Sequence, residues 1–385
     1  MLRSLTQARW AELDKELSDL KQKNLLRSLT SVSEIKSSRV DFSSNDYLGL
    51  SRHPRVIKKA AEALRVWGAG SGASRLFSGN LRIHEDLERK IAAFKKEKAA
   101  TVFSSGYLAN LGVITALLNE KDLIVVDRLN HASLVDAARL SKAKLWVYPH
   151  RNVQKLKELL ARAKGFRRRL VVTDAYFSMD GDVAPLDRLY EACRAADTLF
   201  MVDEAHSTGV FGKTGRGLTE HFGLSGKSLI VMGTLSKALG SVGGFVAGDK
   251  ILRDYLINRS REFIYTTAPS PAASAAAMES LSVLEKDASP RKRLWENALF
   301  LRKSLQADGF DLMGSEGPVI PIRVGDTAKT MQIKESLKKK NFWVAAVRPP
   351  TVPQGTDRIR LSVTASHTKP EMELFLKEFQ KAVAR

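Results

Sequence analysis

From about residue 100 the chain alternates short, almost wholly apolar runs with amphipathic segments, and this pattern restricts its fold more than any other feature. The runs at 101–103, 123–127, 144–148, 170–173, 198–202, 228–232 and 244–247 are predicted strands. The segments 106–118, 133–140, 153–163 and 186–196 are predicted helices between them. Strands that are apolar on both sides need cover on both sides, as in parallel sheets with helical crossovers. The expected fold is therefore α/β, with a mostly parallel central sheet and helices on both faces. Sheets of this kind bind ligands in the crevice beyond the carboxyl ends of their strands. Residues at those ends are the first functional candidates.

The 385 residues allow one large domain and a smaller one. We expect an N-terminal helical arm at 1–47, a large α/β domain at 48–285 and a small α+β domain at 286–385. A helix at 270–285 leads out of the large domain, and strands at 320–324 and 358–363 belong to the small one. Glu12, Asp14, Glu16 and Asp19 argue against a targeting peptide at the N-terminus, which reads as an amphipathic helix. No apolar run is long enough to span a membrane. The single cysteine, Cys193, cannot form an internal disulfide, which fits a reducing cytoplasm. No histidine stands in a partner motif that would make it a nucleophile.

The formal charge is +20, from 62 basic and 42 acidic residues. The bases are dispersed. Short runs such as Arg167-Arg168-Arg169 and Lys338-Lys339-Lys340 come without a recognition motif, so no nucleic-acid partner is expected. An anionic small substrate or carrier suits the charge.

Lys237 lies in the small-residue loop Gly233-Thr-Leu-Ser-Lys-Ala-Leu-Gly240, after a predicted strand. Asp203, in Asp203-Glu-Ala-His206, follows another. A lysine amine beside an acid suits an aldehyde cofactor with a pyridine ring, pyridoxal phosphate (PLP). The lysine bonds the aldehyde and the acid keeps the ring nitrogen protonated. Asp203-Glu-Ala-His206 also matches a nucleotide-hydrolase acidic box. However, Gly212-Lys213-Thr214 and Gly226-Lys227-Ser228 lack the leading glycine of a phosphate loop, since Ser207 and His221 stand there. The plainer alternative for Asp203 is a helix cap.

Phe103-Ser-Ser-Gly-Tyr107 offers a strand, small residues and a helix start, so Gly106 and Tyr107 are candidates for the phosphate, with the Thr234 hydroxyl beside them. His131 could stack on a cofactor ring. His206 and Ser178 could bond its phenolic oxygen, although Ser178-Met-Asp-Gly181 is equally a plain turn. Arg360 interrupts an apolar strand, either as a surface residue or as a fork for a carboxylate. The dispersed histidines offer no metal site.

Taken in order, Ser44-Asn-Asp-Tyr-Leu-Gly49, Gly70-Ser-Gly72, Phe177-Ser-Met-Asp-Gly-Asp182, Asp203-Glu-Ala-His206, the Lys237 loop, Phe263-Ile-Tyr-Thr-Thr267, Arg348-Pro-Pro-Thr-Val-Pro353 and Leu361-Ser-Val-Thr-Ala365 resemble the α-oxoamine synthases. These PLP-dependent acyltransferases have the aspartate-aminotransferase fold, and the likeness runs from about Leu26 to Thr368. The Arg348 string is most similar to the member that condenses L-alanine with a pimeloyl thioester, on CoA or acyl carrier protein, early in biotin biosynthesis. A sister member joins glycine to acetyl-CoA, and an aminotransferase is a further alternative. The resemblance implies Lys237 as the Schiff-base lysine, Asp203 as the pyridinium partner and His131 as the stacking ring and a proton donor. It implies Gly106, Tyr107, Ser178, His206 and Thr234 as cofactor contacts. Arg27, Asn45, His131, Thr351 and Arg360 would bind substrate. It further implies a homodimer in which Gly72, Thr266 and Thr267 serve the neighbouring subunit's cofactor. Ser236, Ala238 and Ser207 depart from glycines common in the family.

Overall fold

The computed structural model describes residues 2–29 and 39–384. They divide into two compact units, one of 45–296 with 364–366, the other of the described parts of 1–44, 297–363 and 367–385.

The larger unit is built on a seven-stranded sheet. Its strands are β1 (Ala99–Phe103), β2 (Leu123–Asp127), β3 (Lys144–Tyr148), β4 (Arg169–Asp174), β5 (Leu199–Asp203), β6 (Ile230–Thr234) and β7 (Gly244–Gly248). Across the sheet they run β1-β7-β6-β5-β4-β2-β3. The block from β6 to β3 is parallel throughout, and β7 is antiparallel to both neighbours. The reversal follows from chain length. A parallel return needs a crossover of about a dozen residues or more, and the connection at 235–243 is too short for one.

The strands are apolar on both sides because both sides are covered. Ile124, Val126, Leu170, Val172 and Met201 alternate onto one face, where they meet Val113, Ile114, Leu134 and Ala137 of the helices α1 (Gly106–Leu117) and α2 (Ala132–Leu140). Leu123, Val125, Val171, Phe200 and Val202, on the other face, are equally buried. The expected mostly parallel sheet is thus what forms. Two strands run later than the sequence suggests, at 199–203 and 230–234 in place of 198–202 and 228–232. Asp203 and Thr234 are consequently the last residues of strands, not loop residues. The ladder continues because backbone donors remain to be paired: Ala175 N–H donates to Asp203 O and Glu204 N–H to Met232 O, both at 2.8 Å.

The smaller unit has an antiparallel three-stranded sheet with β10 (Arg358–Ser362) between β8 (Val319–Arg323) and β9 (Ala345–Val347). Strand β9 is not anticipated from the sequence, since its three residues give too short a period to read. Phe42, Leu301, Ile320, Ile359, Leu361, Phe375 and Phe379 form the core of this unit. The N-terminal segment is a helix, Leu2–Gln22, whose apolar residues Trp10, Leu13, Leu17 and Leu20 are all exposed in the single chain. No described helix is long and apolar enough to cross a membrane.

Candidate active site

Strands β2, β4 and β5 lie side by side in the sheet and all end in aspartate, at Asp127, Asp174 and Asp203. Asp174 and Asp203 are register partners, and all three are buried. Burying a carboxylate is costly unless donors meet it. For Asp203 they are the Ala205 N–H on Oδ1 and Asn110 Nδ2 on Oδ2, each at 2.8 Å. No helix begins at Asp203. Residues 205–210 are turns, so the carboxylate closes a turn and the helix-cap reading fails. The next residue, Glu204, is buried against Lys95 Nζ at 2.5 Å and accepts the Thr219 N–H at 2.7 Å, which anchors the chain where it leaves the strand at Asp203.

Asp174 Oδ2 accepts the His131 N–H at 2.8 Å. Burial, and then the charge of Asp203, hold the Asp174 carboxyl well above the usual carboxylate range, while Lys237 pulls it the other way. The same two charges act on His131. Desolvation lowers its pKa, Asp203 opposes that and Lys237 adds to it. Asp203, Lys237, His131 and Asp174 thus form one electrostatic locus at the carboxyl edge of the sheet.

A chain of hydrogen bonds joins the proposed pyridinium partner to the proposed stacking ring. Asn110 Nδ2 donates to Asp203 Oδ2 and, at 2.9 Å, to Ser133 Oγ. Ser133 Oγ lies 2.8 Å from His131 Nδ1, which also accepts the Ser133 N–H at 3.2 Å. With Nδ1 accepting, the proton of the neutral imidazole sits on Nε2. Asn110 and Ser133 join the candidate site by these bonds, and sequence reasoning misses both. The legible signal for Asn110 is an amide inside the otherwise apolar helix Gly106-Tyr-Leu-Ala-Asn-Leu-Gly-Val-Ile114.

The other candidates of this unit cluster around the same edge. Ser105 Oγ caps α1 by accepting the Leu108 N–H at 3.2 Å, and the first-turn amides of Gly106 and Tyr107 are not taken up by that cap. A Cβ on Gly106 would lie 3.1 Å from Met232 Cε and 3.4 Å from Thr234, so the helix start presses on the end of β6. The Tyr107 hydroxyl donates to Asp136. Thr234 Oγ1 donates to Gly243 O at 2.8 Å and accepts the Ser236 N–H at 3.2 Å. His206 Nδ1 is 2.7 Å from the Tyr47 hydroxyl, which donates to Asn45 Oδ1 at 3.4 Å. Ser178 sits in the turn of a hairpin, Tyr176–Phe177 against Asp182–Val183. Residues near Gly72 meet Thr267 and Ala268: Ser74 bridges Thr267 and Ala268 N–H donates to Ala73 O at 3.0 Å, while Ser104 Oγ donates to Thr267 O at 3.3 Å.

Arg27, Thr351 and Arg360 belong to the smaller unit. There Arg27 Nη2 donates to Thr351 Oγ1 at 3.0 Å, so two residues assigned to substrate meet across a long stretch of sequence. Arg360 is only 5% exposed and donates to Ser362 Oγ at 2.9 Å. The alternative of a surface arginine is thereby removed. No group of His, Cys, Asp and Glu among the described residues is arranged to hold a metal ion.

The profile of the aminotransferase class I and II family matches residues 37–379. The chain belongs to this family. It is 42% identical over 369 residues to 8-amino-7-oxononanoate synthase of Bacillus pumilus, covering 94% of each chain. It is 43% identical over 342 residues to 8-amino-7-oxononanoate synthase 1 of Bacillus subtilis, covering 89% of this chain and 87% of that one. A high-resolution structure of SPT with a PLP internal aldimine superposes with a TM-score of 0.92 at 31% identity, covering 97% of each chain. The resemblance read from the motifs is borne out.

The residues present fit PLP. A buried carboxylate oriented by neutral donors suits a pyridinium nitrogen. The glycine start of α1 lets an anion approach backbone amides. Lys237, half-buried, stands in the loop after β6.

Proposed function

We propose that this chain catalyses the PLP-dependent condensation of L-alanine with a pimeloyl thioester, on CoA or on acyl carrier protein, giving 8-amino-7-oxononanoate, CO₂ and free thiol in biotin biosynthesis. The observation that carries this reading is the identity of 42–43% with enzymes of that name over most of both chains. When bound, PLP supplies an aldehyde for the amino group and a ring that draws electrons from the α-carbon.

The chain's own residues do the rest. Lys237 Nζ would hold the cofactor through its aldehyde, and its amine would serve as the general base for the alanine α-proton. Asp203 keeps the ring nitrogen protonated, with Asn110 fixing the plane of its carboxylate and the Ala205 N–H setting its turn. Ser133 holds His131 by Nδ1, which leaves the Nε2 proton available to a thioester or carboxylate oxygen. The Gly106 and Tyr107 amides and Thr234 bind phosphate, and His206 and Ser178 bind the phenolic oxygen. Arg360 takes the amino-acid carboxylate, and Arg27, Thr351 and Asn45 are assigned as substrate contacts. The working form is a cytoplasmic homodimer in which Gly72, Thr266 and Thr267 reach the neighbouring subunit's cofactor.

The test is incubation with small amino acids and acyl thioesters, following thiol and CO₂. L-Alanine with pimeloyl thioester should be the preferred pair, and Lys237→Ala should lower turnover by about 1,000-fold or more. Preference for glycine with acetyl-CoA, or turnover surviving in Lys237→Ala, would refute the assignment.

A further inference from the structure

Two loops carry residues assigned above to the cofactor, and one side chain outside that assignment joins them. The first runs from Asp127, at the end of β2, to His131. The second is the hairpin at 176–183, with Ser178 in its turn. His150, just beyond β3, lies between them. Its Nδ1 is 2.9 Å from Asp127 Oδ1 and its Nε2 is 2.8 Å from Asp182 Oδ2. Both carboxylates are held from other sides as well. Asp127 accepts the Leu129 N–H at 2.9 Å and the Arg151 N–H at 2.8 Å, and Arg151 Nη1 donates to Asp182 at 3.0 Å. Phe177 meets the imidazole edge-on, with centroids 4.4 Å apart.

Ionised carboxylates only accept hydrogen bonds. An imidazole bonded to one at each nitrogen therefore carries both protons. His150 and Arg151 then balance Asp127 and Asp182 in a cluster of zero net charge. We propose that His150, as an imidazolium, is a positioning residue that clamps the 127–131 loop to the 176–183 hairpin and so holds His131 and Ser178 in place for the cofactor. The last clause rests on the PLP reading above, whereas the clamp belongs to the chain itself.

Desolvation lowers the His150 pKa, but hydrogen bonds and charge from Asp127 and Asp182 outweigh it and raise it to about 9. The charged groups that face it are Asp127 from β2, Asp182 from the hairpin and Arg151 from its own loop, and Asp127 in turn acts on Tyr148 and Asp174. A raised pKa means that the clamp persists through neutrality and opens as pH rises through about 9, its contribution to stability being complete below pH 6.5.

Hydrogen exchange on cofactor-free protein tests this. Wild type, His150→Gln and Asp182→Asn are compared at equal pH, near neutrality and above the histidine's transition. In His150→Gln, segments 127–133 and 176–183 should both exchange several-fold faster near neutrality, without the further loosening that wild type shows at high pH. Asp182→Asn should move that loosening to lower pH, and it carries the test if His150→Gln does not fold. PLP affinity, read from bound-cofactor absorbance, should fall about tenfold in His150→Gln, the equivalent of one charge-assisted hydrogen bond. Loosening of one segment alone, an alkaline step that persists in His150→Gln, or unchanged PLP affinity would overturn the proposal. Failure of borohydride to trap PLP on wild-type Lys237 would sink the cofactor reading instead, while the exchange data still decide the clamp.

Discussion

Asp203 receives one hydrogen bond from its own turn and one from Asn110 on α1, and the two constrain different things. The backbone donor sets the turn. The Asn110 amide fixes the carboxylate plane and, through Ser133, the tautomer of His131. Removing the charge and removing the orientation should therefore differ in effect. Asp203→Asn keeps the shape but no longer holds a ring nitrogen protonated. It should still bind PLP measurably while wash-out of the alanine α-deuteron slows by about 100-fold or more. Asn110→Ala leaves buried acceptors unmet, and chemical denaturation should show a loss of about 2 kcal/mol. Wash-out in that variant should fall less than in Asp203→Asn, and equal losses would mean that Asn110 does more than orient.

Where β7 passes the start of α1, the backbones are too close for a side chain between them. A Cβ on Gly244 would lie 2.5 Å from Ser105 O and 2.6 Å from Gly106 Cα. Both are backbone atoms, so neither can swing aside. Gly244→Val should shift the helix start, cost about 1–3 kcal/mol and weaken PLP binding, as read by urea midpoint and cofactor titration. Native affinity in a destabilised variant would separate the helix start from phosphate binding.

Across the chain, histidines impose opposite pH dependences. His367, stacked on Phe42 at 4.1 Å in the smaller unit, has its pKa lowered chiefly by burial. A depressed histidine contributes stability above its unfolded pKa of about 6.5 and loses it as pH falls. His150 does the reverse. Its shift from 6.5 to about 9 corresponds to about 3 kcal/mol, present below 6.5 and lost towards 9. Melting temperature should peak near neutrality, with the acid limb flattened in His367→Phe and the alkaline limb in His150→Gln. Unchanged limbs would assign them to other groups. The formal charge of +20 should also favour encounter with an anionic carrier. Raising ionic strength from about 0.01 to 0.15 M shortens screening from about 30 to 8 Å. The KM for the acyl thioester should rise several-fold while that for zwitterionic alanine stays nearly constant. A parallel rise in both would argue against steering.

Strand positions, the lysine loop and the acid at 203 beside a strand end are legible in the linear chain, because apolar periodicity and turn residues act over a few neighbours. That reading reaches Lys237, Asp203 and the start of α1. It stops short of Asn110, Ser133, Asp174 and His150, whose roles exist only through partners distant in sequence. Asn110 meets Asp203 because α1 packs over β6 and β7, beside β5, and His150 meets Asp182 because the end of β3 and the hairpin after β4 come together around the end of β2. Which strands adjoin is decided by how all the apolar faces are buried at once. The buried polar groups at their ends must then find donors among whatever that arrangement brings near. Local chemistry therefore named the candidate reactive residues, and tertiary packing alone chose the ones that hold them in place.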